Sequence, residues 1–421
     1  MSRRFCIRCA LLLASVSFVA GDRVEAAAPR VPFPRHATYA TGTLRPTVVS
    51  QRQQDDDVRA FYDAWKSQYV VTMPLTVPAQ CRIAFGTMEP NYSRTVSEGQ
   101  GYGVVIVALM AGHDPNARAT FDSLWRFVVR HPSSIDDRLM GWEVPSSTGD
   151  LPDSAFDGDA DIAYALLLAD AQWGSNGPNN YREAASRVID RILESTIGPT
   201  TRLPLLGDWV DPNGVRYNQF TTRTSDFMYG HFRAYGREFH DTIWASVITA
   251  TQSAATKLQT GYASTTGLLP DFVEPRKRSP YTPKPAGFNF LEWANDGYYY
   301  YNACRTPWRI GTDAVINGDA RSKAQAKKMS LWIEKSARND PNSIKAGDRL
   351  AGIVVGAGNY FTSAFAAPFG VAAMSSPAQQ AWLNKLYISV RSRHEDYYED
   401  SITLQCLLVM TGNFWDATLL P

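Results

Sequence analysis

Two kinds of helical pattern alternate along this chain, and the alternation constrains the fold more than any other feature. One kind is apolar nearly all round: Gly103–Met110 (GVVIVALM), Ile162–Ala169 (IAYALLLA) and the stretch from Tyr360 to Met374. The other keeps its apolar residues on one face: Asn116–Arg130, with Phe121, Leu124, Trp125 and Val128 in register, then Asn180–Ser195, Ala320–Ala337 and Pro377–Arg391. A helix that is apolar on every side has to be surrounded by protein, and one with a charged face has to border water. Strand-like alternation is scarce. Inner and outer helices in repeated succession predict stacked helical hairpins, and about six such pairs would use the length and close into a barrel within a barrel. An open helical solenoid competes with this reading. Solenoid repeats usually retain similarity to one another, however, and these segments show none.

The N-terminus reads as a secretion signal over residues 1–28. Arg3, Arg4 and Arg8 precede an apolar stretch from Ala10 to Ala20, and Ala26-Ala27-Ala28 supplies small residues for cleavage. The apolar stretch is shorter than the roughly 20 residues a membrane span needs. A soluble chain, extracellular or periplasmic and free of the membrane once the signal is removed, is therefore expected. Residues 29–56, with Pro29, Pro32, Pro34 and Pro46 and no periodicity, read as a flexible linker. The folded domain is assigned to 57–421, opening on Val58, Phe61, Trp65 and Tyr69 along one helix face. Net charge is +1, so nothing points to a nucleic-acid partner, and a monomer is expected. Cys6 and Cys9 fall inside the signal. Cys81, Cys304 and Cys406 remain, which allows at most one disulfide.

Three clusters carry chemistry. Ser97-Glu98-Gly99-Gln100-Gly101-Tyr102-Gly103 sets one carboxylate among three glycines, just before an apolar helix. Glycines remove bulk and would let a long substrate approach the backbone, although Ser-Glu-Gly before a helix is also ordinary capping. Asp157-Gly158-Asp159-Ala160-Asp161 opens another apolar helix with three carboxylates in five residues. Calcium does not fit, because Ile162 and Leu168 stand where an EF-hand loop needs Gly and Glu. The third cluster runs from Asp271 to Asp313. It contains Phe290-Leu291-Glu292-Trp293, four tyrosines from Tyr298 to Tyr301, and Asn302-Ala303-Cys304-Arg305-Thr306-Pro307-Trp308-Arg309. The six histidines form no spaced metal set, and no metal or cofactor is expected. With 12% aromatic residues, Trp142, Trp209 and Tyr102 are the candidates for stacking on sugar rings, with the protein core as the alternative place for each.

SEGQGYG, then DGDADIAYALLLADAQWG, then NACRTPWRIGTD resemble glycoside hydrolase family 8. Leu139-Met140-Gly141-Trp142, Gly207-Asp208-Trp209, Ser225-Asp226-Phe227-Met228 and Tyr397-Tyr398-Glu399-Asp400-Ser401 extend the likeness over most of the chain. The resemblance implies an all-α (α/α)6 double barrel that hydrolyses β-1,4-linked polysaccharide endo-wise, with inversion. It implies Glu98 as general acid, Asp157 as the carboxylate that holds the sugar at the cleavage subsite, and Arg305 lining the same subsite. Asp226 and Asn302 join the substrate-binding candidates.

The chain departs from the cellulase-like branch at Asn302, where that branch has its catalytic Asp. An amide cannot take a proton from water. A branch with chitosanases and lichenase-like enzymes has Asn here and takes its base from a Glu in the preceding loop, which implies Glu292 as general base, ahead of Asp296 and Glu274. The substrate expectation is chitosan or a β-glucan, mixed-linkage or cellulosic. Glu143, Asp153, Asp208, Asp211 and Asp296 would be available to grip a polycation such as chitosan. A non-catalytic glycan binder of the same fold is the alternative that Asn302 raises. An isoprenoid-processing enzyme on a similar barrel is a remoter one.

Overall fold

The computed structural model describes residues 28–420; the secretion signal expected over 1–28 lies outside them except for its last position. The described residues hold twelve α-helices: α1 Gln51–Tyr69, α2 Ser97–Leu109, α3 Ala117–Arg130, α4 Phe156–Trp173, α5 Tyr181–Ser195, α6 Tyr229–Glu238, α7 Ile243–Gly261, α8 Thr306–Asn317, α9 Ala320–Ser336, α10 Ser363–Ala373, α11 Gln380–Val390 and α12 Tyr397–Met410.

The even-numbered helices form the inner ring. Each packs on the next, α2 on α4 and so on to α12, which returns to α2. Each odd-numbered helix packs outside an inner one: α3 on α2, α5 on α4, α7 on α6, α9 on α8, α11 on α10, and the first helix, α1, on the last, α12. This is the (α/α)6 barrel, closed where α12 meets α2, with α1 packed outside α12. Burial follows the sequence pattern. Every residue of α10 is buried, and every residue of α2 except Glu98. Outer α5 buries only Tyr181, Ala185, Val188, Ile189 and Ile192, a single stripe. Close approach of α2 and α4 depends on glycine. A Cβ at Gly101 would lie 2.8 Å from the Asp161 Cβ and 2.9 Å from the Gly158 carbonyl oxygen. The glycines of the SEGQGYG segment therefore admit neighbouring protein rather than substrate; Gly99 is covered by the Tyr397 ring.

The stretch 29–56 is not the linker that its prolines suggest. It runs as an extended strap over the C-terminal ends of the inner helices, and α1 already begins at Gln51, with Ser50 accepting from the Gln53 amide. Strap amides bond to the carbonyls of Gln172, Ala111, Gly412, Val315 and Met374, donated by Arg30, Phe33, Ala37, Ala40 and Leu44. A helix leaves its last carbonyls without an internal partner, and the strap supplies partners at five of the six inner helices. Val31 and Phe33 are buried beneath it. Proline keeps the strap extended, and amides three or four residues apart donate to the helix ends.

Beside the barrel mouth, Thr222–Arg223, Phe272–Arg278 and Tyr281–Pro285 form a three-stranded antiparallel sheet. Next to it a small separate core of Leu205, Leu206, Val210, Phe272, Ala286 and Phe290 supports the loop that carries Glu292. Cys81, Cys304 and Cys406 are buried free thiols.

Candidate active site

Because each inner helix is followed by an antiparallel outer one, all the inner helices point the same way, and their N-termini gather at the barrel end opposite the strap. Glu98 lies in the first turn of α2, Asp157 in that of α4, Asp226 just before α6, Arg305 just before α8, and Tyr397 to Asp400 at the start of α12. Between them opens a cleft of about 820 Å³, lined by Glu98, Asp157, Glu292 and Asn302 together with Trp142, Trp293, Tyr300 and Tyr301.

Arg305 is the hub of the cleft floor. It is buried, and its Nη1 donates to Glu98 Oε2 at 2.5 Å, to Asp157 Oδ2 at 2.7 Å and to the Tyr102 hydroxyl at 3.2 Å. Its Nη2 donates to Ser225 Oγ at 3.0 Å and to Asn302 Oδ1 at 2.9 Å. Asn302 completes a relay. Its oxygen faces Arg305 and also Arg223 Nη1 at 3.3 Å, so its Nδ2 faces away from both cations and donates to Glu292 Oε2 at 2.8 Å. The flipped amide would set N–H groups against two guanidiniums. Glu98 and Glu292 are thus joined through Arg305 and Asn302, end to end. Tyr397 donates its hydroxyl to the other Glu98 oxygen at 2.8 Å.

Electrostatics sort these carboxyls. Burial raises the Glu98 pKa, and the nearby Asp157 charge adds to the rise, against the opposing pull of Arg305. Burial would raise Asp157 as well, but Arg223 and Arg305 outweigh it and hold that carboxyl well below its ordinary range. The other two acids of the DGDAD run take different solutions. Asp159 accepts the Met140 amide at 2.8 Å, and its burial pushes its pKa well up. Asp161 resists the same burial through a two-pronged pairing with Arg309, at 2.9 and 2.5 Å, and a contact with His231 at 2.8 Å, and its pKa is lowered. No metal is needed to explain three acids in five residues.

Several residues singled out in the sequence lie elsewhere than expected. Tyr102 has no exposed surface; it packs edge-on to Trp308 under Arg305 and is not a stacking platform. Trp209 packs against Tyr217 and the small core beside the sheet and does not line the cleft. Asp226 is fully buried, 3.3 Å from Arg223 Nε, so it supports that arginine rather than touching ligand. Its burial pushes it up to about 7. Arg305, likewise, works from beneath the cleft. Trp142 lines the cleft. The competitors of Glu292 are occupied: Asp296 accepts the amides of Leu291, Glu292 and Trp293, at 2.6, 3.0 and 2.8 Å, and Glu274 is bound to Lys284 and the Gly287 amide.

Sequence reasoning missed Arg223, which reaches Asp157, Asp226, Asn302 and Glu292. It missed Tyr397, although YYEDS was noted as a motif, and it missed Trp293. That indole is 63% exposed, on a backbone pinned by Asp296, and it sits next to Glu292. Its place beside a candidate base was the available signal.

An open trough with aromatic rings on its walls and carboxyls of contrasting acidity on its floor is built to hold a chain of sugars and act on a glycosidic bond, which is the work of a glycoside hydrolase. Comparison with known proteins sharpens the class. The model of glycosyl hydrolases family 8 matches residues 31–412, and the chain belongs to that family. It is 42% identical over 416 residues to a beta-glucanase of Niallia circulans, covering 97% of this chain and 95% of that one. It is 36% identical over 391 residues to an endoglucanase of Bacillus sp. (strain KSM-330), covering 91% and 81%. Among solved structures, the apo beta-1,3-1,4-glucanase from Paenibacillus sp. X4 superposes with a TM-score of 0.86 at 43% identity, covering 92% of this chain and all of that one. A cold-adapted family 8 xylanase, 17% identical with a TM-score of 0.69, shares the fold.

Proposed function

We propose that the protein is a secreted, endo-acting, inverting β-glucanase that cuts β-1,4 bonds in a neutral glucan, with Glu98 as acid and Glu292 as base. The observation that carries the reading is the relay from Glu98 through Arg305 and Asn302 to Glu292 around one open cleft. Inversion needs an acid on one side of the scissile bond and a base on the other, with carboxyl groups ~6.5–9.5 Å apart so that a water fits. Two side-chain heads standing between the glutamates suit that requirement.

Glu98, its pKa raised by burial, donates its proton to the leaving glycosidic oxygen. Tyr397 accepts from the acid or donates to the carboxylate as the proton leaves and returns. Glu292, fixed by the Asn302 amide, takes a proton from the water that attacks C1 on the opposite face. Asn302 is therefore a positioning residue for a neighbouring base, which answers the doubt its identity raises about catalysis. Asp157, held ionised by two arginines, grips the sugar at the cleavage point. Trp142 and Trp293 offer stacking faces.

A neutral glucan is favoured over chitosan by what the candidate acids do. Glu143 pairs with Arg94, Asp208 accepts from Ser133 and the Ser154 amide, Asp211 caps the Asn213 amide, and Asp296 is taken by its loop. None of these, nor Asp153, lines the cleft, whereas Arg94 and Arg223 do. The names of the glucanase relatives support the same substrate class. Export rests on the basic and apolar N-terminus alone.

Glu98→Gln and Glu292→Gln should each lower kcat on mixed-linkage β-glucan by ~10²–10⁴-fold while glucan binding persists. Proton NMR of the first products should show the α-anomer. Full turnover by Glu98→Gln, or β-anomer appearing first, sinks the assignment.

A further inference from the structure

Helix α12 is buried along its length except at Tyr398 and Glu399, and both of these line the cleft. The turn that opens it is crowded with acids, and three of the four are occupied by the protein. Glu395 accepts the Thr362 hydroxyl at 2.6 Å and the Ser363 amide at 3.1 Å, at the start of α10. Asp396 accepts the Tyr397 amide at 2.8 Å. Asp400 accepts the Glu395 amide at 2.8 Å and the Tyr69 hydroxyl at 3.2 Å, and meets His394 at 3.2 Å. Glu399 differs. Asp396 and Glu399 have the spacing of a capping box, in which the Glu side chain reaches back to the amide of the capping residue. Among the described residues its carboxyl makes neither that bond nor an ion pair, and the backbone group beside it is its own amide. A half-buried carboxyl that holds up no part of the protein and faces the substrate trough finds its hydrogen-bond partners on the ligand.

We infer that Glu399 is a specificity-determining residue: its carboxyl hydrogen-bonds the hydroxyls of a neutral pyranose in the cleft and discriminates against glucan chains that bear an anionic substituent there. The inference rests on the glucanase reading of the cleft. Burial, reinforced by the charges of Glu395, Asp396 and Asp400 and opposed by its own amide, pushes Glu399 up to about 7. Tyr301 and Tyr69 lie close enough to feel its charge, and Tyr398, beside it on α12, shares the cleft wall with Tyr301. Below that pH the group is an acid that donates and accepts; above it, a carboxylate that accepts only. A sugar hydroxyl suits both forms. A carboxymethyl group is repelled by the second.

The test is kcat/KM on neutral mixed-linkage β-glucan and on carboxymethyl-cellulose, across pH, for wild type, Glu399→Gln and Glu399→Ala. The ratio of the two substrates cancels the protonation of Glu98 and Glu292. In wild type, carboxymethyl-cellulose should lose ground to the neutral polymer several-fold as pH rises through about 7. In Glu399→Gln the ratio should be flat across pH; Glu399→Ala should raise KM for the neutral glucan by about three- to tenfold. Melting curves establish that both variants are folded. Parallel ratio profiles in wild type and Glu399→Gln, or an unchanged KM in Glu399→Ala, overturn the role of Glu399 alone. A wild-type enzyme that cleaves neither polymer overturns the glucanase reading and this role with it.

Discussion

Asp157 acts on Glu98 in two ways at once: its negative charge raises the Glu98 pKa, and it competes for the Arg305 Nη1 that would otherwise lower it. Replacing Asp157 by Asn removes the repelling charge and leaves Arg305 freer to favour ionised Glu98, so both effects lower the same pKa. With Glu98 as the proposed acid, turnover needs it protonated, and an acid with a lower pKa loses its proton at lower pH. The alkaline limb of the kcat/KM profile should therefore move to lower pH in Asp157→Asn, beyond the loss of rate from the missing sugar contact. A limb that stays in place refutes the coupling. At this scale the sequence was legible in the placing of Glu98 and Asp157, which motif and chemistry both mark and which line one cleft, while Arg305 lies beneath it. It was illegible where the question was burial. Trp142 and Trp209 have the same composition-level appeal, yet one borders the cleft and the other fills a minor core, because tertiary packing decides which indole meets solvent. Arg223 stands in no noticed motif; its importance comes from partners on its own turn, on α4 and in the stretch from Glu292 to Asn302.

The element that carries the proposed base is the loop from Gly287 to Asp296. Phe290 roots it in the small core beside the sheet, Arg216 and Tyr217 bond to its carbonyls, and Asp296 gathers three consecutive amides around Glu292. It stands apart from the main barrel core, so its order and the stability of the barrel are separable. Asp296→Ala should lower kcat about ten- to a hundredfold and speed amide exchange across the loop, while the melting temperature changes little; these magnitudes follow from a base that is no longer held in place. An unchanged exchange rate would show that Asp296 is not the clasp. Among the helices, the inner–outer alternation read from the sequence holds at α2, α4 and α10, where burial on all sides is a property of pattern; inner α6 buries only Tyr229, His231, Phe232, Ala234 and Tyr235 and does not carry it. Helix starts are less visible. Glu98 lies inside the first turn of α2, where no side chain caps the helix.

For the molecule as a whole, the strap is the feature that pattern could not reveal: its residues lack periodicity because their partners are backbone carbonyls, which every sequence offers. Deleting residues 28–47 would leave five helix ends without those amides and expose the core under Val31 and Phe33. At roughly 0.5–1.5 kcal/mol for each hydrogen bond, plus the lost burial, the barrel should melt well below the intact enzyme. Catalysis, at the opposite end, should persist at low temperature. Equal melting temperatures would mean that the strap is dispensable. Its route also has a consequence in time. The strap's amides find their carbonyls between Ala111 and Gly412, and α1 packs on α12. A chain still emerging from the ribosome cannot seat the whole strap until the last inner helix has been made, because Ala37 waits for Gly412 and α1 waits for α12. The barrel is thus a hoop whose clasp joins an early segment to the last inner helix, and that early segment is fixed in full only after the helix has been made.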